Sequence, residues 1–187
     1  MKRCSWCSDD EIYKRYHDEE WGVPVHDDRV LFEFLVLEGA QAGLSWITIL
    51  KKREAYRKAF VDWDFERVAK FGDEDVERLM GDSPRDDSGE LDVIVRNRLK
   101  IRSAIRNAKV FLGIRKEFGS FSDYLWGFAD GVPVVGDGSL TESELSREIS
   151  KDLKRRGMSF VGPIIIYAFL QAVGIVNDHE VGCFRKD

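Results

Sequence analysis

The chain has 187 residues, of which 43% are hydrophobic and 34% are charged, and its formal net charge is −5. This composition is too apolar for a disordered chain, and the length allows one domain with a sizeable core. The longest apolar run, residues 164–176, is interrupted by Gln171 and Gly174 and is too short to cross a bilayer. Because the start lacks an apolar leader and three cysteines make a poor disulfide framework, we expect a cytoplasmic protein.

Helical patterns follow one another along the chain. Between residues 101 and 112, apolar side chains recur at spacings of four, three and four, which predicts a helix with one buried face. Patterns typical of strands are nearly absent, so we predict an all-α fold. The polar residues 83–90 predict a surface loop. Residues that favour helix N-termini predict further helix starts at Asp28, Ser45, Asp64, Asp73, Ser122 and Thr141. The helix from Ser45 is expected to run to Phe60, and Thr141 is expected to form a capping box with Glu144.

Two pairs of metal-type ligands lie near the two ends of the chain. Cys4 and His17 fall within the first 17 residues, and His179 and Cys183 fall within the last nine. Two thiolates and two imidazoles suit tetrahedral zinc with no open position, which predicts a structural site that joins the ends. The spacing of four would place His179 and Cys183 on one face of a helical turn. Cys7 completes a Cys-x-x-Cys pair with Cys4, so it could replace His17 as a ligand.

The segment from Lys154 to Pro163 predicts a helical hairpin. A basic amphipathic helix ends at Gly157, five turn residues follow through Gly162, and Pro163 opens an apolar helix in its favoured first position. Free N–H groups at such a turn can hold a phosphate oxygen, and Lys154, with the two arginines after it, lies beside that point. A plain connection within an α domain explains the same pattern, and both interpretations stay open.

Aromatic residues are concentrated in the first quarter of the chain, which also carries one glutamate in an apolar setting. Glu38 follows seven largely apolar residues. Aromatic side chains are usually core residues, and that interpretation suffices for any one of them. Together with a carboxylate, however, they suit a flat cationic base such as an adenine methylated on a ring nitrogen. The aromatic residues are Trp6, Tyr13, Tyr16, Trp21 and Trp46.

Several stretches, spread in order over essentially the whole chain, resemble the family of constitutive 3-methyladenine DNA glycosylases. They read RCSW from residue 3, YHDEEWGVP from residue 16, LEGAQAGLSWITILKKR from residue 37 and RNRLKI from residue 96. Residues 154–162 and VNDHEVGC from residue 176 complete the set. The resemblance implies one all-helical domain over residues 1–187, with a helix-hairpin-helix element at about residues 142–174.

The activity that the resemblance implies is hydrolysis of the N-glycosidic bond of 3-methyladenine in alkylated double-stranded DNA, without strand cleavage. Glu38 is then the catalytic residue. The base is expected to be flipped out of the duplex into the pocket. The residues that the family likeness assigns to the pocket are Tyr16 and Trp46, with Tyr13, Trp6 and Trp21 beside them. Its zinc ligands are Cys4, His17, His179 and Cys183.

Contacts with DNA are assigned to the hairpin and to one turn. Gly157, Gly162 and Lys154 are expected to meet phosphates, and Leu44 is expected to fill the gap that the flipped nucleotide leaves. Asp178 could orient the attacking water or only support the ligand next to it. We expect a monomer that needs no membrane, obligate partner, nucleotide or redox cofactor.

Two rival classes can be compared with this hypothesis. No lysine follows Gly162 closely enough to act as a strand-cleaving lyase nucleophile, and three cysteines cannot bind an iron–sulfur cluster through four thiolates. A non-catalytic DNA-binding module held together by zinc would explain the hairpin and the ligands. It would leave Tyr16, Glu38 and Trp46 without a use.

Overall fold

The computed structural model describes residues 1–81, 93–136 and 138–186, so the loop predicted at residues 83–90 lies outside the described residues. The regular structure of the described part is almost entirely helical, which confirms the all-α prediction. None of the described helices combines the length and apolar character needed to cross a bilayer. The helices are α1 Glu11–Glu19, α2 Asp28–Gln41, α3 Trp46–Lys51, α4 Arg53–Ala59, α5 Phe65–Val68, α6 Asp73–Met80, α7 Arg98–Phe118, α8 Phe121–Gly127, α9 Glu144–Arg155 and α10 Pro163–Ala172.

Helix α2 lies at the centre of the fold. Every residue from 31 to 40 is buried, and the helix packs against α10, α7, α3 and α8. A helix that is apolar nearly all round has to lie inside the core, because no face of it is suited to water. Glu38, in the last turns of α2, is therefore carried into the interior by its neighbours.

Three predicted helix starts were displaced by one or two residues, since other residues act as the caps. Asp27 rather than Asp28 caps α2, and its Oδ1 accepts from the N–H groups of Arg29 and Val30. Asp28 instead accepts from Arg115 and from the start of α8. The N-cap of α6 is Gly72, and Asp73 is the first residue of that helix. Helix α8 is capped by Ser120, not Ser122, because its hydroxyl accepts from Asp123 N at 2.8 Å.

Two further helix predictions were wrong in detail. The predicted box of Thr141 and Glu144 does not form, because Ser143 and Ser146 satisfy each other's backbone N–H groups at the start of α9. The single helix expected from Ser45 to residue 60 divides at Lys52, where φ is −99° and ψ is 0°. Asp64 does cap α5, as predicted, although that helix ends at Val68.

The hairpin formed by α9 and α10 has a turn that is fixed by side chains. Gly157 adopts φ +104°, a conformation that glycine tolerates without strain. The side-chain amide of Asn107, on α7, donates to Ser159 O at 2.9 Å and accepts from Ser159 N at 3.0 Å. Ser150 Oγ donates to Val161 O at 2.6 Å. Pro163 is the first residue of α10, as predicted.

Two short strands join the middle of the chain to its C-terminal segment. Strand β1 (Val134–Val135) pairs in parallel with β2 (Val176–Asn177), and Gly136 N donates to Asn177 O at 2.9 Å. Strands of two residues leave no alternating pattern, so the sequence did not predict them. The pairing brings Gly136 and Gly138 beside Asp178.

Candidate active site and metal cluster

A cavity of about 260 Å³ lies between the N-terminal segment, α2, α3, α10 and the C-terminal segment. Its size is near the lower end of the roughly 300–1,000 Å³ typical of small-molecule sites, which suits one flat heterocycle. All six residues predicted for the base pocket line it: Trp6, Tyr13, Tyr16, Trp21, Glu38 and Trp46. The other lining residues are Gln41, Gly138, Ala168, Gln171, Asp178 and Glu180.

The aromatic side chains form a connected wall. Tyr13 and Tyr16 are three residues apart on α1, so they share one face of that helix. Trp6 meets Tyr13 and Trp21 edge to face, with ring centroids 5.6 and 4.9 Å apart. Tyr16 lies 5.4 Å from Trp46. Tyr16 and Trp21 are buried, whereas the other three keep some exposure, so the group belongs to the core and also offers ring surface to the cavity.

Glu38 and Trp46 each carry a buried polar atom that lacks a partner. Glu38 is 4% exposed, and its Oε2 has no hydrogen-bond partner among the described residues; the same is true of Trp46 Nε1. Leaving such an atom unpaired inside a protein costs about 1–3 kcal/mol, so a ligand that pairs with it recovers that energy. Both residues line the cavity, which makes it a place for a base with polar edges.

Burial shifts the pKa values of two side chains in the cavity wall, Glu38 and Tyr16. Removal from water raises the pKa of Glu38 from 4.5 to about 8, because the charged carboxylate loses its hydration. Burial and the neighbouring Glu38 carboxyl also raise the pKa of the Tyr16 phenol well above its ordinary value. Burial therefore favours a protonated, neutral Glu38 near pH 7. A cation beside it would reverse that preference.

Asp178 forms another part of the cavity wall and is held by three donors. Tyr167 Oη and Gln171 Nε2 donate to Oδ2 at 2.9 and 2.6 Å, while Gly138 N donates to Oδ1 at 2.6 Å. This set fixes the carboxylate in the wall, next to His179 in the chain. The sequence signal for Gln171 was its position as a polar residue within an otherwise apolar helix.

Gln41, like Gln171, lines the cavity but was not among the residues predicted for it from the sequence. It lies three residues after Glu38 on α2, and that spacing places the two side chains on one face of the helix. Gly138 and Glu180 gave no such signal, because they reach the cavity through tertiary contacts of loops.

The four predicted metal ligands meet in one buried cluster. One ligand atom from each lies within 4.8 Å of all the others. Cys4 Sγ is 3.4 Å from His179 Nδ1, and Cys183 Sγ is 3.4 Å from His17 Nε2 and 3.6 Å from His179 Nδ1. Tetrahedral zinc with bonds of about 2.0–2.3 Å separates neighbouring ligand atoms by roughly 3.3–3.8 Å, and these three separations lie in that range.

Neighbouring groups orient both imidazoles of the cluster. His17 Nδ1 is 2.8 Å from Asp18 Oδ1, and Arg3 forms a double hydrogen bond with Asp18 that lowers the pKa of that carboxyl to about 2. His179 Nε2 is 3.1 Å from Trp21 O. These partners leave His17 Nε2 and His179 Nδ1 facing the cluster, which is the usual arrangement around metal-bound histidines.

Burial alone disfavours thiolate in the cluster. It raises the pKa of Cys4 to about 12 and lowers the pKa of His179 to about 4. A divalent cation offsets the cost of ionising the thiols, so the donor set is suited to a bound metal.

The structure differs from the metal prediction at His179 and Cys183, and it leaves Cys7 outside the cluster. The helical turn expected for His179 and Cys183 is wrong: the segment is an irregular turn, closed by a hydrogen bond from Cys183 N to Glu180 O at 2.9 Å. Cys7 is not a member of the cluster, and its Sγ lies 3.8 Å from Ser8 O.

The candidate DNA contacts lie at accessible positions. Lys154 and Gly157 are exposed, Gly162 is the half-buried N-cap of α10, and Leu44 is 40% exposed. Arg156, by contrast, is bound within the protein by Glu117 and Asp152 and lies over two aromatic rings. Lys154 is therefore the better candidate of these two for a phosphate contact.

Comparison with known proteins places the chain in one family. The family model described as methyladenine glycosylase matches residues 6–186. DNA-3-methyladenine glycosylase 1 of Escherichia coli K12 is 46% identical, over 98% of this chain and 96% of its own. DNA-3-methyladenine glycosylase of Haemophilus influenzae Rd is 42% identical, over 97% and 96%.

A solved structure shows the same fold. That structure is of 3-methyladenine DNA glycosylase I from Staphylococcus aureus, and it is described as the structural basis of 3-methyladenine recognition by that protein. That protein is 37% identical and superposes with a TM-score of 0.91, over 100% of this chain and 97% of its own. The match of sequence and fold extends along both chains, and by it this chain belongs to the methyladenine glycosylase family.

Proposed function

We propose that the chain is a monofunctional DNA glycosylase that hydrolyses the N-glycosidic bond of 3-methyladenine in alkylated DNA and so starts base excision repair. The observation that carries this proposal is the aromatic cavity in which Glu38 Oε2 and Trp46 Nε1 lack partners among the described residues. The family membership supports it, as do the names of the relatives.

Glu38 gives the cavity a means of choosing a cationic base. A neutral adenine leaves the cost of ionising a buried carboxylate uncompensated, whereas a base alkylated at N3 brings a positive charge that favours the carboxylate. The carboxylate can also accept a hydrogen bond from the exocyclic amine. The rings of Tyr16 and Trp46 supply stacking and cation–π contact with the same base.

The chemical step then needs no strong general acid. When the bond between C1′ and the alkylated base breaks, its electron pair goes to the base, which leaves as neutral 3-methyladenine. Positive charge remains on the sugar, water adds at C1′ and loses a proton, and an abasic site is produced. Glu38 and the fixed carboxylate of Asp178 are two of the acids that line this cavity, and they offer electrostatic stabilisation of that charge.

The duplex has to release the base before it can enter the cavity. Flipping costs a few kcal/mol and is cheapest for a damaged base. We assign phosphate contacts to Lys154, Gly157 and Gly162 at the hairpin. The exposed side chain of Leu44 would fill the space that the flipped nucleotide leaves in the duplex.

Zinc is the metal that the ligand cluster fits best. Cys4, His17, His179 and Cys183 would hold it in a closed site, and its charge would stabilise the thiolates there. All four positions are protein atoms, so its role is structural. The hydrogen bond from Ser5 N to Glu180, at 2.9 Å, supports the same closure of the two ends.

We further propose that residues 1–187 act as one glycosylase domain and as a monomer, without an obligate protein partner. Both end segments supply lining residues to a single cavity, which supports one unit rather than two. The substrate is alkylated double-stranded DNA, and the cytoplasm is the bacterial compartment that holds it.

The experiment that tests the function is incubation of the purified protein with methylated duplex DNA. Released bases are identified by chromatography, and the DNA is run on a gel to detect strand breaks. Release of 3-methyladenine without breaks is the expected result. No release from folded, zinc-loaded protein would reject the enzyme and favour the non-catalytic DNA-binding module.

A substitution at Glu38 also distinguishes the glycosylase from the non-catalytic DNA-binding module. Glu38→Gln should lose excision while it retains binding to DNA, and Glu19→Gln, an exposed glutamate on α1, is the matched control. Unchanged excision by Glu38→Gln would remove Glu38 from the mechanism.

A further inference from the structure

Lys100 closes the C-terminal end of a helix to which it does not belong. Its Nζ donates to Ala40 O at 2.8 Å and to Ala42 O at 2.7 Å, both at the end of α2. The last carbonyls of an α-helix have no partner within the helix, and buried ones need a donor from elsewhere. Ala40 is 4% exposed, so Lys100 fills that need for a carbonyl with little access to water.

The position of Lys100 along the chain is explained by α2 and not by its own helix. Lys100 lies in the first turn of the 21-residue α7, where the helix dipole disfavours a cation. Asn97 already caps the backbone of that turn. The last turn of α2 has no basic residue, and a cation is favoured there. Burial lowers the pKa of Lys100, so its two hydrogen bonds have to offset a desolvation cost.

The turn that Lys100 holds lies at the rim of the cavity. It spans residues 42–45, between Gln41 and Trp46, and both of these line the cavity. Gly43 adopts φ +78°, and Leu44 N donates to Gln41 O at 2.6 Å. Leu44, at the tip, is 40% exposed.

We propose that Lys100 is a positioning residue for base excision: its ammonium group fixes the turn at residues 42–45, so that Leu44 is presented to the DNA beside the cavity. The inference rests on the proposed function. An apolar side chain that occupies the place of a flipped nucleotide is effective only if its backbone is already in position, because ordering a loose turn on binding reduces the energy available for flipping.

The test is a double-mutant cycle on Lys100→Met and Leu44→Ala. Single-turnover release of 3-methyladenine from methylated duplex is measured for the wild type, both single variants and the double variant. We expect each single variant to slow release about tenfold, and the double variant to be within about twofold of the slower single one, because both changes remove the same action.

A second measurement excludes a general loss of structure. Binding of free 3-methyladenine, followed by tryptophan fluorescence, should change less than about twofold in Lys100→Met, since a free base needs no flipping. Lys100→Arg should recover most of the rate, because a guanidinium can donate to both carbonyls. Lys116→Met, an exposed lysine on the same helix, should behave as wild type.

Several outcomes would overturn the inference. They are normal release by Lys100→Met or by Leu44→Ala, multiplied losses in the double variant, or a loss of free-base binding as large as the loss of release. If circular dichroism shows that Lys100→Met is unfolded, Lys100→Gln takes its place in the cycle. A folded wild type that releases no base would instead reject the proposed function, and this inference with it.

Discussion

Asp18 Oδ1 lies 2.8 Å from His17 Nδ1, so a carboxylate outside the ligand cluster orients one of its imidazole rings. Arg3 holds that carboxylate in turn through two hydrogen bonds. The relationship makes the metal site dependent on a residue that touches no metal.

Replacement of Asp18 should weaken metal binding without removing a ligand. We expect Asp18→Ala to lower zinc affinity roughly 10–100-fold, the usual effect of losing such a partner. Competition with a chromophoric chelator measures it. Asp9→Ala, an exposed aspartate in the same segment, is the control. Equal affinities of the two variants would contradict the role given to Asp18.

The two cysteines at the N-terminal end should differ in their effect on metal content. Cys4→Ser removes one cluster member and should reduce bound zinc and the melting temperature, because a metal held by this cluster would tie the two end segments together. Cys7→Ser should keep one zinc per chain, since Cys7 lies outside the cluster. Elemental analysis and thermal melts give both quantities. Loss of zinc from Cys7→Ser would show that Cys7 is a ligand after all.

Glu38 should make the free protein less stable as pH rises. Its pKa is about 8 in the folded state, against an ordinary value of 4.5, so the folded chain holds a proton that the unfolded chain releases between these pH values. The contribution of the protonated Glu38 carboxyl to the free energy of unfolding is complete below pH 4.5 and is lost as pH rises through 8. Glu38→Gln should therefore be more stable than wild type at pH 8.5, by on the order of 2–5 kcal/mol.

Denaturant melts at pH 5 and pH 8.5 check this expectation. The gap between Glu38→Gln and wild type should narrow at the lower pH, and Glu19→Gln should show no such dependence. An equal difference in the free energy of unfolding between the two proteins at both pH values would mean that burial does not raise the pKa of the Glu38 carboxyl.

Gly136 should tolerate no side chain. A Cβ there would lie 2.2 Å from Asp178 Oδ1, so Gly136→Ala has to displace a carboxylate that three donors hold. We expect destabilisation of about 1–3 kcal/mol and slower base release, because the cavity wall moves. Gly113→Ala is the control: its Cβ would meet nothing within 4 Å inside α7, and it should gain about 0.5–1 kcal/mol. Denaturant melts and release rates would show whether Gly136 behaves differently.

The sequence predicted what depends on residue type and local spacing. The apolar run before Glu38 indicated a buried helix, and two thiols with two imidazoles indicated a closed metal site. The geometry brings those four side chains together, although the helical turn expected at His179 does not form. Competing caps, such as Ser143 in place of Thr141, could not be ranked without tertiary contacts.

What could not be predicted depends on contacts between distant segments. Nothing in the local sequence links Lys100 to α2, and only the fold shows its ammonium group on the carbonyls of that helix. Gly138 reaches the cavity because two very short strands pair. The spacing of residues along the chain carries no record of such contacts.

The contribution of Asp178 and Glu180 to the cavity has a consequence for synthesis of the protein. A ribosome makes these residues after every other part of the cavity wall, and the last metal-type ligand, Cys183, comes later still. A nascent chain that ends before Asp178 therefore lacks part of the cavity wall and carries only two of the four metal-type ligands. We therefore expect competence for base excision to arise only once this segment has been made, so that shortened chains should release no base from DNA.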